Sequence, residues 1–204
     1  MAPPLLLMQP TLIARPFHRD GLVFEEKVDG YRMAVYKDGD RVRLVSRQGK
    51  DHTRRFPGLA EAVRALKARS LVLDGEVACY DQKLISRFEW LRADPGDEVA
   101  TPPMFMAFYL LQLGRADLRP QPLRDRHKKL EDALDGAPAL LLPVRRLADD
   151  GLEAWKQVLE RGYEGLVAKD PESPYVGGRT LKWLKVKQRE YRVKERGWDP
   201  ARKQ

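Results

Sequence analysis

The chain has 204 residues, of which 43% are hydrophobic and 33% charged, and its formal net charge is +8. This length predicts one domain, or at most two small ones, and the charge favours a polyanionic partner. No apolar run reaches the roughly 20 residues of a membrane helix, and the run at 5–8 lacks the basic leader of a signal peptide, so we expect neither feature. The single cysteine, Cys79, excludes an internal disulfide and suits a reducing cytoplasm.

The first half of the chain reads as strands with one helix. Residues 1–20 are rich in proline and predict an extended lead-in. Asp38-Gly39-Asp40 lies between two alternating runs, which is typical of a β-hairpin. Residues 57–68 predict a helix that begins at Pro57. The predicted strands are 22–28, 33–37, 41–47, 70–81 and 104–113.

The second half mixes helices with short strands. We expect helices at 123–134 and 149–162, the second capped by Asp149 or Asp150 and ended by Gly162. The run RHKK at 126–129 reads as a solvated helix face. Because strands and helices do not alternate regularly, the pattern predicts an α+β domain with antiparallel sheets flanked by helices. The predicted strands are 139–147, 164–170 and 181–187, and 191–193 is a further candidate.

Several charged residues lie within or at the ends of apolar strands. Each alone is explained by a strand with one solvated face, because polar and apolar residues then alternate. Together they predict a pocket in which carboxylates hold a divalent metal and lysines neutralise a phosphorylated ligand. The residues are Lys27, Asp74, Glu76, Glu164, Lys169, Lys182, Lys185 and Lys187.

Lys27 follows two acidic residues in the sequence FEEKVDGYR. A nucleophilic lysine must lose its proton, and a neighbouring carboxylate opposes this loss. Strand alternation places Glu26 on the face opposite Lys27 and Glu25 on the same face. We therefore expect the cations that activate Lys27 to come from a bound metal and from Lys185 and Lys187.

Six motifs occur in a fixed order along the chain. In this order they resemble the motifs of the adenylation domain of ATP-dependent DNA ligases, which belong to the covalent nucleotidyltransferases. The stretch at 171–187 is most similar to bacterial end-joining-type ligases. The motifs are KVDGYR (27–32), SRQGKD (46–51), LDGEV (73–77), FMAFYLL (105–111), EGLVAK (164–169) and LKWLKVK (181–187).

The resemblance implies a fold in which the nucleotide pocket lies between the sheets, and it implies a role for each motif. Lys27 would attack ATP to form lysyl-AMP and pass AMP to the 5′-phosphate of nicked double-stranded DNA. The 3′-hydroxyl would then displace AMP from that phosphate and seal the strand. Mg²⁺ or Mn²⁺ would be held by Glu164 and Glu76. DNA would be contacted by Arg32, Arg47 and Lys182. The nucleotide would be bound by Glu25, Glu26, Arg32, Arg47, Glu76, Phe108, Lys169, Lys185 and Lys187, the last three facing the phosphates.

The chain departs from the family pattern in two places. Tyr109 stands where the aromatic motif usually has an aspartate, so one support of the metal or of a neighbour would be missing. The resemblance assigns 1–188 to the adenylation domain and 189–204 to a basic tail or the start of an oligonucleotide-binding (OB) barrel. We expect that barrel to be absent, because the remaining length is too short for it.

The resemblance also implies a monomer in a bacterial cytoplasm, associated with the nucleoid. A separate OB-fold domain or end-joining repair proteins would be its partners. Two other functions stay open: a non-catalytic nucleotide- or DNA-binding module, and an RNA ligase or capping-type nucleotidyltransferase.

Overall fold

The computed structural model describes residues 5–91, 99–188 and Tyr191. Three α-helices lie in these residues: α1 (Pro57–Arg64), α2 (Leu123–Leu134) and α3 (Gly151–Arg161). The strands are β1 (Met8–Leu12), β2 (Val23–Glu26), β3 (Tyr31–Asp38), β4 (Arg41–Ser46), β5 (Ser70–Ala78), β6 (Met104–Leu113), β7 (Ala116–Asp117), β8 (Leu141–Pro143), β9 (Gly165–Lys169) and β10 (Gly178–Lys187).

The strands form two sheets. The small sheet has the order β1-β10-β9-β2, and the large sheet has the order β4-β3-β5-β6-β7 with β8 beside β6. Most pairs are antiparallel, as predicted, but β1 pairs with β10 and β8 with β6 in parallel. The α+β class is therefore confirmed, with two parallel pairs added.

One face of the large sheet packs against α1 and α2. Val35, Leu44 and Leu73 on the sheet are fully buried, and Val63 of α1 and Leu130 of α2 join the same core. Each fully buried aliphatic side chain contributes about 1.5–3 kcal/mol relative to exposure. The predicted hairpin between β3 and β4 is confirmed, with Asp38 opposite Arg41 and Gly39 at a φ of +56°.

The small sheet packs against α3 through a separate core that includes Phe24, Val158 and Leu166. Asp150 caps α3, because its carboxylate accepts hydrogen bonds from the Leu152 and Glu153 amides at 2.8 and 3.0 Å. Gly162 ends the helix in the left-handed region with a φ of +73°. Of the two predicted caps, Asp150 is the one the helix uses.

The two sheets meet through an aromatic cluster. The rings of Tyr109 on β6 and Trp183 on β10 stack with centroids 4.6 Å apart, and Tyr175 meets both edge-on. Met8 of β1 joins this cluster. The cluster holds the second face of the large sheet against the small sheet and forms the floor between them.

Four sequence predictions need correction. Residues 8–12, predicted only as part of an extended lead-in, form the strand β1, because they pair with the edge of β10. Helix α1 ends at Arg64 instead of residue 68, and β8 is shorter than the predicted strand at 139–147. Arg126 and His127 of the RHKK run are buried, since α2 turns them toward the aromatic cluster. The candidate strand at 191–193 lies, apart from Tyr191, outside the described residues.

Within the described part of the chain, no helix is long and apolar enough to cross a membrane.

Candidate active site

An open cavity of about 820 Å³ lies between the two sheets. Strands β2, β3, β5, β6, β9 and β10 all bring predicted site residues to it. These are Lys27, Glu25, Glu26, Arg32, Arg47, Glu76, Phe108, Lys169 and Lys185. Eight further residues on its wall were not predicted as site residues: Leu7, Met8, Gln9, Pro10, Val28, Tyr109, Val167 and Trp183.

Lys27 lies directly after β2, where its amide donates to the Gly165 carbonyl at 2.9 Å. This backbone bond sets the amine beside the start of β9. There the Lys27 amine donates to Glu164, whose other oxygen accepts from the Lys187 amine at 2.5 Å. Glu164 therefore bridges Lys27 and Lys187, which are 160 residues apart in the sequence.

The contacts of Glu164 add a carboxylate to the charges that the sequence predicts around Lys27. Burial acts to raise the pKa of Glu164, but Lys27 and Lys187 outweigh it and hold that pKa below its usual value. The sequence predicts that Glu164 supports a metal and that a bound metal, Lys185 and Lys187 supply cations near Lys27. In the structure a carboxylate holds the amine, and cations surround the carboxylate.

Lys185 completes a cluster of three lysines at this end of the cavity. Burial, followed by repulsion from Lys27 and Lys187, lowers the pKa of Lys185 to about 8. The single carboxylate of Glu164 lies among these three lysines, so positive charge remains in excess. The cluster is therefore suited to an anionic group such as a phosphate.

Carboxylates face the lysine cluster from the large sheet. Glu76 on β5 pairs in register with Arg32 on β3. Burial raises the pKa of Glu76 to about 8, with smaller upward contributions from Glu164 and Asp29. Burial and the Glu164 charge likewise raise the pKa of Asp29. These three acids repel one another, so a cation bound near them would be stabilised.

The carboxylates of Glu76 and Glu164 suit a Mg²⁺ ion that takes few of its ligands from the protein. No group of three or more His, Cys, Asp or Glu side chains converges as a metal site in the described residues. Mg²⁺ commonly takes only one or two carboxylates and completes its shell with substrate phosphates and water. Glu76 and Glu164 meet that requirement together with a nucleotide.

The other end of the cavity is aromatic and holds Glu25. The Lys169 amine donates to one Glu25 oxygen and lies 5.3 Å from the Phe108 ring centroid. Lys169, which the resemblance predicts to face the phosphates, lines the cavity from the end of β9. Its position is four residues, or about 13 Å along the strand, from Gly165, which the Lys27 amide contacts.

His127 lies beside the second oxygen of Glu25. Its Nε2 is 3.2 Å from Glu25 Oε1, but neither atom has a hydrogen-bond partner among the described residues, and Arg146 Nη2 lies 3.2 Å from the Nδ1 of the same ring. Burial, with the charges of Lys169 and Arg146, lowers the pKa of His127 to about 3, and the ring is therefore neutral. No sequence pattern predicts this contact, because a histidine within a charged helical run reads as exposed.

The Glu26 carboxylate points away from Lys27, as strand alternation predicts. Its carboxylate accepts from Arg145 at 2.9 Å, and burial raises its pKa to about 7.

Arg32 is held by the structure instead of being free at the cavity mouth. Its Nε and Nη2 donate to the buried carboxylate of Asp74 at 2.6 and 2.7 Å. Its guanidinium lies 4.9 Å from the centroid of Phe108. Arg32 therefore forms a rigid wall behind that ring. The sequence marked Asp74 as an unusual buried acid, and the structure shows what it pairs with.

The two remaining predicted DNA contacts differ in setting. Arg47 is exposed and lines the cavity. Lys182 lies outside the cavity lining, is 65% exposed, and pairs with Asp170 at 3.0 Å.

Tyr109 occupies its position by packing. Its ring stacks on Trp183 and on His127, and the Arg126 guanidinium lies 5.3 Å from its centroid. An aromatic ring thus fills the position at which the motif usually has a carboxylate.

Known proteins resemble this chain over most of its length. A family described as the ATP dependent DNA ligase domain matches residues 7–187. A probable DNA ligase of Streptomyces griseus is 37% identical over 180 residues, which are 80% of this chain and 35% of that protein. DNA ligase 1 of Korarchaeum cryptofilum is 35% identical over 177 residues, covering 80% of this chain and 32% of that protein. The chain thus spans about a third of the length of these relatives.

Solved structures agree with this result. The ligase domain of M. tuberculosis LigD has a TM-score of 0.74 at 33% identity, covering 90% of this chain and 59% of that one. A mycobacterial DNA ligase D complexed with ATP and MES has a TM-score of 0.69 at 32% identity, covering 88% and 60%.

Proposed function

Because the chain belongs to the ATP-dependent DNA ligase domain family, we propose that it works as the adenylation domain of a DNA ligase and that Lys27 becomes covalently linked to AMP. The observation that carries this proposal is the setting of the Lys27 amine. It lies at the phosphate-compatible end of the cavity, on Glu164, with Lys185 and Lys187 beside it.

The first step joins Lys27 to the α-phosphate of ATP. The Nζ–P bond forms, the bond between the α-phosphorus and the bridging oxygen breaks, and pyrophosphate leaves with that electron pair. Glu164 is hydrogen-bonded to the amine and is the nearest acceptor for its proton. Lys185 and Lys187 stabilise the charge that develops on the phosphate oxygens, which is the main demand of phosphoryl transfer.

The rest of the cavity suits the nucleoside. Phe108 offers a ring for base stacking, held from behind by Arg32. Glu25 and Lys169 place polar groups at the base end, and Glu76, which also lines the cavity, would bind the ribose. Glu26 and Arg47 complete the predicted nucleotide contacts.

Glu164 and Glu76 would hold Mg²⁺ or Mn²⁺ together with the phosphates, and the ion would supply additional charge neutralisation. The mutual repulsion of Glu76, Glu164 and Asp29 supports a cation in this place.

DNA is the proposed acceptor of AMP, because the relatives of this chain, which are longer proteins, are named DNA ligases. AMP would pass from Lys27 to the 5′-phosphate of a nick, and the 3′-hydroxyl would then displace it. Arg47 is the best placed of the predicted DNA contacts. Arg32 and Lys182 are already paired with Asp74 and Asp170. The proposal includes a monomer in a bacterial cytoplasm and nucleoid that works with an OB-fold domain or end-joining proteins.

The test is incubation with α-labelled ATP or GTP and Mg²⁺ or Mn²⁺, followed by denaturing electrophoresis. We expect a labelled chain with ATP, no label in Lys27→Ala, and full label in the exposed control Lys128→Ala. GTP labelling in place of ATP labelling would indicate capping-type chemistry, and absence of label with either nucleotide would indicate a non-catalytic module. Chasing the labelled chain with nicked DNA or nicked RNA then identifies the acceptor.

A further inference from the structure

We propose that four arginines form a second site for DNA phosphates, distant from the nucleotide cavity. Arg41, Arg43, Arg69 and Arg115 line one open groove of about 1240 Å³, which we call the arginine groove. The groove binds the duplex backbone away from the nick, without regard to sequence. The choice of DNA as the ligand rests on the proposed function.

The groove lies on the same face of the large sheet as the nucleotide cavity. Arg32 and Tyr36 are both even-numbered residues of β3, so they point to one face, and Tyr36 lines the groove. Tyr36 pairs in register with Arg43 on β4 and with Val72 on β5. Lys37 also lines the groove, although its amine is turned to the Arg64 carbonyl, to which it donates at 2.8 Å.

The charges in the groove are only partly compensated. Arg43 pairs with Asp51 at 3.0 Å, but the exposed side chains of Arg41, Arg69 and Arg115 have no ion-pair partner in the described part of the chain. Asp38 is the acid that lines the groove. Guanidinium groups bind phosphate oxygens through paired hydrogen bonds, so several unpaired arginines around one concavity suit a polyphosphate backbone.

Strand β4 links the groove to the nucleotide cavity. Arg41 and Arg43 lie in the groove, and Arg47, just past the end of the strand, lines the cavity. Six residues of strand separate Arg41 from Arg47, which is about 20 Å. A duplex rises about 3.4 Å per base pair, so the groove reaches phosphates about six base pairs from the nick.

This geometry predicts a dependence on DNA length. We compare Arg41→Gln/Arg69→Gln/Arg115→Gln with the control Lys128→Gln/Lys156→Gln/Arg161→Gln, which removes the same charge from exposed positions on α2 and α3. The ligands are nicked duplexes with arms of about 12 or about 4 base pairs, longer and shorter than the reach of the groove. Binding is measured by fluorescence anisotropy over a series of KCl concentrations.

We expect the groove variant to bind the long duplex more weakly and to lose about two to three units of salt slope, roughly one for each phosphate contact removed. Its binding to the short duplex should match that of the unsubstituted chain, and the control should retain the long-duplex slope. Equal losses in both variants, or equal losses on both duplexes, would overturn the proposal.

Two further measurements separate this proposal from the proposed function. Lysyl-AMP formation should be unchanged in the groove variant, because none of its substitutions touches the nucleotide cavity. Binding repeated in a Lys27→Ala background should show the same length dependence, so a chain that fails to adenylate still tests the groove. Melting temperatures of both variants report whether a loss of binding is a loss of folding.

Discussion

At the scale of single residues, the site is governed by charges that lie close together but come from distant parts of the sequence. Glu164 joins Lys27 and Lys187, and Lys185 lies within their field. Such an arrangement stores repulsion that an anionic ligand relieves. It therefore makes the protonation of Lys185 a variable that can be measured.

The pH dependence of adenylation should follow Lys185. Because its pKa is lowered to about 8, Lys185 is charged below that pH and loses its charge above it. The second-order rate constant at low ATP reports the free protein, so we expect it to fall as pH rises through about 8. In Lys185→Arg the guanidinium stays charged, and the decline should move to higher pH.

Single-turnover rates across pH for the two proteins provide the measurement. An unchanged decline in Lys185→Arg would show that another group controls it.

At the scale of elements, the helices and strands follow local rules that the sequence makes visible. The N-cap of α3 is the sharpest case, because two adjacent aspartates were candidates and only Asp150 accepts the backbone amides. The cap satisfies donors that the first helical turn leaves unpaired.

Asp150→Ala should therefore destabilise the protein by about 1 kcal/mol and lower its melting temperature by about 2–4 °C. Asp149→Ala is the matched control, and its exposed side chain should be replaceable with little effect. Differential scanning calorimetry of the two variants decides the matter, and an equal shift in both would contradict the assignment of the cap.

At the scale of the whole molecule, Asp74 connects parts that are far apart in sequence. It accepts from Arg32 within the large sheet and from Tyr175, whose hydroxyl in turn accepts from the Met8 amide of β1 at 2.9 Å. One buried carboxylate therefore links the large sheet to the small one.

Asp74→Asn should cost about 3–5 kcal/mol, because it leaves the Arg32 charge without its partner. Tyr175→Phe removes a hydroxyl that donates to Asp74 and accepts from the Met8 amide, but it leaves no buried charge unpaired and should cost less, about 1.5–3 kcal/mol. Urea unfolding gives both free energies. Similar costs for the two variants would show that the ion pair does not carry the link.

The sequence predicted which residues line the cavity better than it predicted the contacts between their side chains. The motifs lie at strand ends, so once the strands are paired the residues Lys27, Glu76 and Lys185 reach one cavity. Contacts such as Lys27 with Glu164 depend on tertiary distance, which no local pattern encodes. Residues 9–10 were missed for the same reason, since their strand exists only through pairing with β10.

Burial of charged residues was the second source of error. Arg126 and His127 are buried although their run is strongly charged, because aromatic faces and backbone carbonyls replace water around them. Hydrophobic periodicity alone cannot detect such an environment.

The most direct measurement is the position of AMP on the chain. After reaction with ATP and a divalent cation, the protein is digested and its peptides are sequenced by mass spectrometry. The account predicts one AMP, on Lys27, joined by an acid-labile phosphorus–nitrogen bond. AMP on Lys169, Lys185 or Lys187, or an adduct that persists in Lys27→Ala, would contradict it.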